Sequence, residues 1–153
     1  MSGPTLAGYV TFLRGTVGIN TTVLPDTSSY IEWSYQMSTN LVWQVLKYLP
    51  TPPDQFLYTQ AVYNLATDFL ISNATDQPGS TYFADYQRKY NLRAFVGGVI
   101  QSASDETTSS NMVVPKQFDA LTIQNLQSLK TPYGRMYLSI VQSLGSLSLM
   151  GIA

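Results

Sequence analysis

Three closely spaced prolines, at positions 50, 52 and 53, separate two long segments in which apolar residues recur at helical spacing. In the first segment they recur every three or four positions from Tyr30 to Tyr48, and in the second they do so over residues 54–74. This spacing places them on one face of a helix. Proline breaks the interior of a helix but is tolerated in its first turn. The sequence therefore predicts two antiparallel helices joined by a short proline turn.

Four further segments with helical spacing flank this hairpin. They cover residues 5–17, 81–103, 119–129 and 133–144, with breaks expected near Asn91 and over Thr131–Gly134. Residues 104–118 are mostly polar and predict a long loop, with a short strand at Met112–Val114. A loop of this length is usually functional or ordered by a partner. The most regular apolar stripe comprises Leu92, Phe95, Val96, Val99, Ile100 and Ala103.

The predicted fold class is all-α: a small helical bundle built on an antiparallel helix hairpin, with a long loop and an extended C-terminal arm. The bundle domain is expected to span residues 1–144, including the 104–118 loop. Residues 145–153 form the predicted arm, which carries no charge. Exposed apolar segments commonly mark interaction sites. The arm is therefore predicted to dock on a partner through Leu147, Leu149, Met150 and Ile152.

The residue types present exclude several kinds of catalytic site. The chain of 153 residues has no cysteine and no histidine, which removes thiol and imidazole chemistry, zinc sites built on those groups, and disulfides. Asn64 and Asp68 are interpreted as a buried or interfacial hydrogen-bonding pair. The adjacent Asp105 and Glu106 lack the spaced third oxygen donor of a calcium loop. We therefore expect no enzyme activity, no metal and no cofactor.

Charged residues are few and unevenly distributed. There are eight basic and nine acidic residues, and the formal net charge of −1 gives no generic attraction to nucleic acid. Residues 1–87 carry two positive charges, whereas residues 88–153 carry six. These six cations either contact DNA phosphates along the channel of a ring, pair with acidic groups of a neighbouring subunit, or remain solvated. They are Arg88, Lys89, Arg93, Lys116, Lys130 and Arg135.

Tyrosine, hydroxyl and amide side chains take the place of the missing charges. The chain contains 11 tyrosines, and serine, threonine, asparagine and glutamine together supply 50 residues. Protein interfaces are depleted in lysine and glutamate and enriched in tyrosine, tryptophan and methionine. The composition is therefore typical of a surface that neighbouring subunits cover, and it favours an assembly role.

Residues 29–35 (SYIEWSY) and 61–70 (AVYNLATDFL) stand on either side of the proline turn, and residues 105–109 (DETTS) and 131–135 (TPYGR) follow. Together these segments resemble head–tail connector (adaptor) proteins of tailed double-stranded DNA bacteriophages. The resemblance implies a small helical bundle that forms a ring, typically of twelve copies, between the portal and the tail. It also implies that a C-terminal arm contacts the portal protein, that a tail or nozzle protein binds below, and that double-stranded DNA passes through the middle.

The location implied by the resemblance is the neck of the virion, with synthesis in the cytoplasm of the bacterial host. The first residues lack the charged and apolar regions of a secretory signal, and no apolar run is long enough to cross a membrane. Two other functions stay open. One is another virion part, such as a tail-completion or head-fibre/decoration protein. The other is a non-structural binding module, even a carboxylate-based hydrolase, which would need a concave site with convergent acids that include Asp68 or Asp105.

Overall fold

The computed structural model describes residues 3–46, 55–94, 102–105, 108–111 and 123–143. Two four-residue strands, β1 (Ser102–Asp105) and β2 (Thr108–Asn111), pair antiparallel. The rest of the regular structure is helical, so the predicted all-α class is confirmed. The helices are α1 (Leu6–Phe12), which continues into a π-helical turn (Leu13–Val17), α2 (Ser29–Leu46), α3 (Gln55–Asn73), α4 (Tyr82–Lys89), α5 (Ile123–Ser128) and α6 (Pro132–Ser143).

The predicted hairpin is present, and its two helices run antiparallel. α2 and α3 pack along each other. The hydroxyl of Tyr30, at the start of α2, lies 3.2 Å from the hydroxyl of Thr75, just beyond the end of α3. The ring centroids of Trp33 and Phe69 lie 6.2 Å apart. The start of one helix therefore lies beside the end of the other.

Helix α3 forms the centre of the bundle. Every residue from Ala61 to Asp68 is buried, and α2, α4 and α6 all pack against this helix. A helix that is buried on all sides is a core helix rather than a surface one. The largest side chains that are fully buried in the core are Tyr9, Leu13, Ile19, Leu24, Ile31, Leu65, Leu70, Ile71 and Phe83.

Aromatic side chains hold α1 on the hairpin. The ring centroid of Tyr9 lies 6.1 Å from that of Tyr35 on α2 and 5.7 Å from that of Tyr63 on α3. The Tyr63 hydroxyl accepts from the amide of Thr5 at 3.2 Å and donates to the carbonyl of the same residue at 3.1 Å. The Tyr35 hydroxyl donates to the carbonyl of Pro4 at 2.9 Å. These rings fill the core while their hydroxyls fix the segment that begins α1.

Residues 18–28 form a loop between the π-helical turn and α2, and Arg14 closes it. This arginine donates to the carbonyls of Ile19 and Leu24, both at 2.7 Å, and forms an ion pair with Asp26. Gly18 has a φ of 83°, the left-handed conformation that glycine adopts without strain at the end of a helix. The π-helical turn therefore ends where the glycine stands.

Polar side chains close the connection between α3 and α4. The carboxylate of Asp76 accepts from the amides of Phe83 at 2.8 Å and Ala84 at 2.9 Å, in the first turn of α4. A negative charge there is favoured by the positive end of the helix dipole. The buried Gln87 donates from Nε2 to the carbonyls of Ile71 and Ala74, both at 3.0 Å. Each helix end thus has its unpaired backbone groups satisfied by the neighbouring segment.

The helix predicted from Leu92 to Ala103 is wrong at both of its described ends. Residues 90–94 form turns, and Ala103 lies in β1. The break expected near Asn91 is confirmed, because this residue has a φ of 51°, a left-handed conformation that ends a helix. The first part of the predicted 104–118 loop likewise contains most of a β-hairpin rather than irregular chain.

The break predicted over Thr131–Gly134 is shorter than expected. α6 begins at Pro132, a favourable residue for the first position of a helix because its missing amide needs no partner there. Other predictions lie outside the described residues: the proline turn, the strand at Met112–Val114 and the arm at 145–153.

The described helices also bear on membrane insertion. None of those within residues 3–46, 55–94 and 123–143 combines the length and the hydrophobicity that a membrane-spanning helix requires.

Gly134 provides a test of how α6 packs against the end of α5. A Cβ atom added at Gly134 would lie 2.0 Å from the carbonyl oxygen of Ser128, and backbone cannot yield as a flexible side chain does. We expect Gly134→Ala to lower the free energy of unfolding by about 2–3 kcal/mol, the cost of overpacking a rigid site. Urea unfolding followed by circular dichroism measures the change.

The matched control is Gly15→Ala, because a Cβ added at Gly15 meets no atom within 4 Å. This variant should match or exceed the wild-type stability by up to about 1 kcal/mol, since alanine reduces the entropy of the unfolded chain. Equal stabilities of the two variants would contradict the close contact at Gly134.

Candidate interaction surfaces

An uncharged groove lies where α1, the start of α3 and α6 meet. Its volume is about 430 Å³, and none of the described residues that line it is charged. Two of its large apolar side chains are half exposed: Phe56 at 51% and Met136 at 53%. Exposed apolar surface of this kind marks interaction sites. This apolar groove is defined by Phe12, Phe56, Leu57, Tyr133, Met136 and Ile140.

A second apolar surface lies on α2. Trp33 is 42% exposed, Met37 is 41% exposed and Trp43 is 58% exposed. Trp33 and Met37 are one helical turn apart and lie on the same side of the helix. We call Trp33 and Met37 the α2 face. Aromatic residues and methionine are the types enriched in protein–protein contacts.

Part of the apolar stripe of α2 faces solvent, whereas its spacing predicts that the stripe faces the core. Trp33 and Met37 belong to that stripe and would be expected to face the core. Instead, Ser34 and Ser38 are buried together with Ile31 and Val42. The Ser34 hydroxyl donates to the carbonyl of Ile31 at 3.1 Å, so its burial leaves this donor satisfied. Small residues at helical spacing are the sequence signal that identifies the packed side.

The two apolar surfaces share no residue and lie on different elements. The α2 face belongs to α2, whereas the apolar groove is built from α1, the start of α3, and α6. Both α2 and α6 pack on α3, which is buried along its middle. Their outward sides therefore point away from a common core, and one subunit presents two different apolar contact surfaces.

Among the six cations identified from the sequence, two arginines line one pocket. Arg88 and Arg93 lie beside Gln87 and Asn91 around a pocket of about 280 Å³. Arg93 donates from Nε to the side-chain oxygen of Gln87 at 3.1 Å. Because Gln87 is itself buried and bonded to α3, this contact fixes the position of the arginine. Arg88 pairs with Asp85 at 3.3 Å, and both side chains are exposed.

Two lysines lie next to this pocket. The side-chain nitrogen of Lys130 donates to the carbonyl of Asn91 at 3.0 Å and also to that of Ala94. The side-chain nitrogen of Lys89 lies 5.3 Å from the ring centroid of Tyr90 and 5.9 Å from that of Tyr86, within the range of cation–π attraction. The four cations that surround the turn after α4 are called the basic surface: Arg88, Lys89, Arg93 and Lys130.

The other two predicted cations are elsewhere. Arg135 lies on α6 and donates to the carbonyl of Leu129 at 3.2 Å. Lys116 lies outside the described residues, as do the predicted docking residues of the arm, Leu147, Leu149, Met150 and Ile152.

Tyrosines accompany the basic surface. The ring centroids of Tyr82 and Tyr86 lie 5.0 Å apart, and those of Tyr86 and Tyr90 lie 5.9 Å apart. Burial, together with the nearby phenols of Tyr86 and Tyr90, raises the pKa of Tyr133 above its ordinary value. Burial and the neighbouring Tyr86 also raise the pKa of Tyr82. These two phenols therefore keep their protons at neutral pH and remain hydrogen-bond donors.

Asp68, the candidate acid of the alternative enzyme hypothesis, connects α3 to the turn before α6. It accepts from the hydroxyl of Ser128 at 2.9 Å and from that of Thr131, whose oxygen accepts in turn from the amide of Gly134 at 2.9 Å. Asn64 donates to the carbonyl of Gln60 at 2.8 Å. The prediction that Asn64 and Asp68 are buried and hydrogen-bonded is confirmed, but their bonds go to other residues.

Burial sets the charge state of Asp68. It raises the pKa of this carboxyl to about 6, against the opposing effect of the two hydroxyl donors. Within the described ranges, no three acidic residues approach closely enough to hold a metal ion. The two hydroxyl contacts of Asp68 join α3 to the segment before α6.

The raised pKa of Asp68 predicts a pH-dependent stability. An aspartate of the unfolded chain has a pKa of about 3.9. Between about pH 4 and pH 6 the folded chain therefore keeps a proton on Asp68 that the unfolded chain has lost. The contribution of Asp68 is therefore fully present below about pH 4 and is lost as the pH rises through about 6. The loss amounts to about 3 kcal/mol, from two pH units at roughly 1.4 kcal/mol each.

Asp68→Asn removes the titrating group and keeps its shape. Urea unfolding of both proteins across about pH 4 to 7 should show the difference between their unfolding free energies changing by up to about 3 kcal/mol, in favour of the variant at higher pH. A difference that stays constant over this range would contradict the raised pKa.

Comparison with protein-family models, with curated proteins and with solved structures found no match for this chain.

Proposed function

We propose that this protein is a ring-forming head-to-tail adaptor of a tailed double-stranded DNA bacteriophage, which links the portal to the tail and surrounds the DNA exit channel. The observation that carries the proposal is that one small subunit exposes two different uncharged apolar surfaces, the α2 face and the apolar groove. The occupant of each surface is the other surface on a second copy of this chain.

A ring requires this kind of pairing. In a two-fold dimer the same patch meets itself, whereas in a head-to-tail contact two different patches of one subunit each meet a neighbour. Such contacts close into a ring when the rotation between subunits allows it. The α2 face offers projecting tryptophan and methionine side chains, and the apolar groove offers a concave surface without charge. Pairing these two surfaces therefore avoids the cost of removing water from a charged group.

The segments that resemble phage connectors agree with this assignment. Residues 29–35 begin α2 and residues 61–70 form most of the buried part of α3, so both belong to the helical hairpin that the resemblance implies. Residues 131–135 begin α6 and border the apolar groove. The low total charge, 17 residues in 153, is also typical of a subunit that neighbours cover.

The proposed adaptor has a partner at each end of the ring. The arm at 145–153 binds the portal protein, a tail or nozzle protein binds at the opposite end of the ring, and the complete assembly forms the neck of the virion. Because the arm is apolar and uncharged, its docking would bury leucine and methionine side chains against the portal. A tail-completion or head-fibre role would use the same surfaces in another assembly, and the number of copies distinguishes them.

The head-to-tail pairing can be tested with two matched variants, Met37→Glu on the α2 face and Met136→Glu in the apolar groove. Both methionines are exposed helical positions, so each change should alter monomer stability by no more than about 0.5 kcal/mol. Each variant alone should fail to form rings, because every contact between copies contains one buried, unpaired carboxylate. Native mass spectrometry of each protein, alone and with portal protein, measures the assembly.

A mixture of the two variants gives the decisive result. The Met37→Glu variant keeps its groove and the Met136→Glu variant keeps its α2 face. These two intact surfaces can pair once, so the mixture should form heterodimers and no larger closed species. Leu6→Glu serves as a control at another exposed apolar position, 39% exposed and outside both surfaces, and should assemble like the wild type. Full rings from either Met variant alone would contradict the pairing.

The role of the arm is tested by removing residues 145–153. The shortened protein retains both apolar surfaces and should still assemble with itself, whereas its affinity for the portal should fall by at least about 100-fold, equivalent to losing one or two buried apolar side chains. Portal binding that survives the deletion would show that the arm is not the docking element.

A further inference from the structure

The basic surface differs from the rest of the molecule in its local charge. Among the described residues there are six cations, and four of them surround the turn that follows α4. One of these four cations, Arg88, forms an ion pair with an acidic residue, Asp85. A protein with a net charge of −1 thus carries a local excess of positive charge on one side.

The two arginines that line the pocket are arranged to receive an anion. Arg93 is fixed by its bond to Gln87, which is buried and held by two carbonyls of the α3 end. Its guanidinium is therefore positioned before any ligand arrives, which lowers the entropy cost of binding. Arg88 lines the same pocket, and its exposed pair with Asp85 contributes little to stability. Arg88 can therefore exchange this carboxylate for another anion.

The surroundings favour a polyanion over a single carboxylate. Lys130, bonded to the turn that contains Asn91, and Lys89, next to Arg88 in α4, add to this positive charge. A lone acidic side chain would neutralise only one of the four cations. Duplex DNA presents a negative charge about every 1.7 Å along its axis, so it can neutralise several at once.

We propose that the basic surface binds the backbone of double-stranded DNA, with one phosphate group seated between Arg88 and Arg93. This inference rests on the proposed function, since a ring would repeat the surface around its central channel. The contact reads no sequence, because it involves phosphates alone. Repeated once per subunit, a weak site of this kind holds DNA without fixing its position along the channel.

The test uses the full chain, a fluorescently labelled 24-base-pair duplex (about two helical turns) and fluorescence anisotropy over a series of salt concentrations. Arg88→Gln and Arg93→Gln should each weaken binding about tenfold, the effect of losing a charge-assisted hydrogen bond. Each should also reduce the slope of log K against log salt by about 0.9. Since both arginines hold the same phosphate, the double variant should lose about one unit of slope rather than two.

A pair of acid variants controls for overall charge. Asp85→Asn and Glu32→Gln both raise the net charge by one, but Asp85 contacts Arg88 whereas Glu32 lies on α2, where Gln36 donates to it at 3.0 Å. Asp85→Asn should strengthen duplex binding about threefold to tenfold, and Glu32→Gln should leave it within about twofold. Equal effects of the two changes would show a nonspecific charge effect and overturn the site.

The oligomeric state of every sample is measured by native mass spectrometry, which separates this proposal from the proposed function. Arginine-dependent DNA binding by a chain that forms no ring would support the site and contradict the ring. No duplex binding by the wild type at low salt, or wild-type binding by both arginine variants, would overturn the site. It would also be overturned if the arginine variants lost assembly while their remaining DNA affinity was unchanged, because the arginines would then contact a protein neighbour.

Discussion

The complete burial of the middle of α3 is the constraint on which the rest of this fold depends. From Ala61 to Asp68 no side chain reaches solvent to any large extent, although the segment includes Asn64, Thr67 and Asp68. Each polar group there must find a partner inside the protein. Asn64 and Thr67 bond to carbonyls of their own helix at 2.8 Å. Asp68 instead bonds to the turn before α6, so the need to satisfy one buried carboxyl fixes the position of the last helix.

The sequence predicts the hairpin well because several independent signals agree there. Apolar periodicity and the prolines at positions 50, 52 and 53 all favour two helices with a turn between them. Periodicity does not reveal which side of α2 faces the core. Trp33 and Met37 outweigh Ser34 and Ser38 in any count of hydrophobicity, yet the serines are buried and the larger residues are exposed. A surface that binds another subunit is apolar too, so hydrophobicity alone cannot separate the core from an interface.

The turn over residues 91–94, where the apolar stripe predicts helix, has a different physical cause. The stripe from Leu92 is regular, but Lys130 donates to the carbonyls of Asn91 and Ala94 from more than 30 positions away, so these carbonyls have a partner from outside the local segment. The same contact explains why the basic surface is only partly predictable from the sequence. The basic residue types are evident in the sequence, whereas the grouping of Arg93 with Lys130 depends on a tertiary contact that no local pattern encodes.

The short segment from Ser128 to Gly134 connects all these features. Ser128 and Thr131 hold Asp68 of the core, Lys130 holds the turn after α4 beside the basic surface, and Tyr133 lines the apolar groove. Gly134 allows the first turn of α6 to lie against the backbone of Ser128, because a Cβ at this position would overlap the carbonyl of Ser128. The interior and two of the outer surfaces are therefore positioned by one turn. A displacement of that turn would move the groove and the basic surface together, and this would couple the proposed contact between subunits to the proposed contact with DNA.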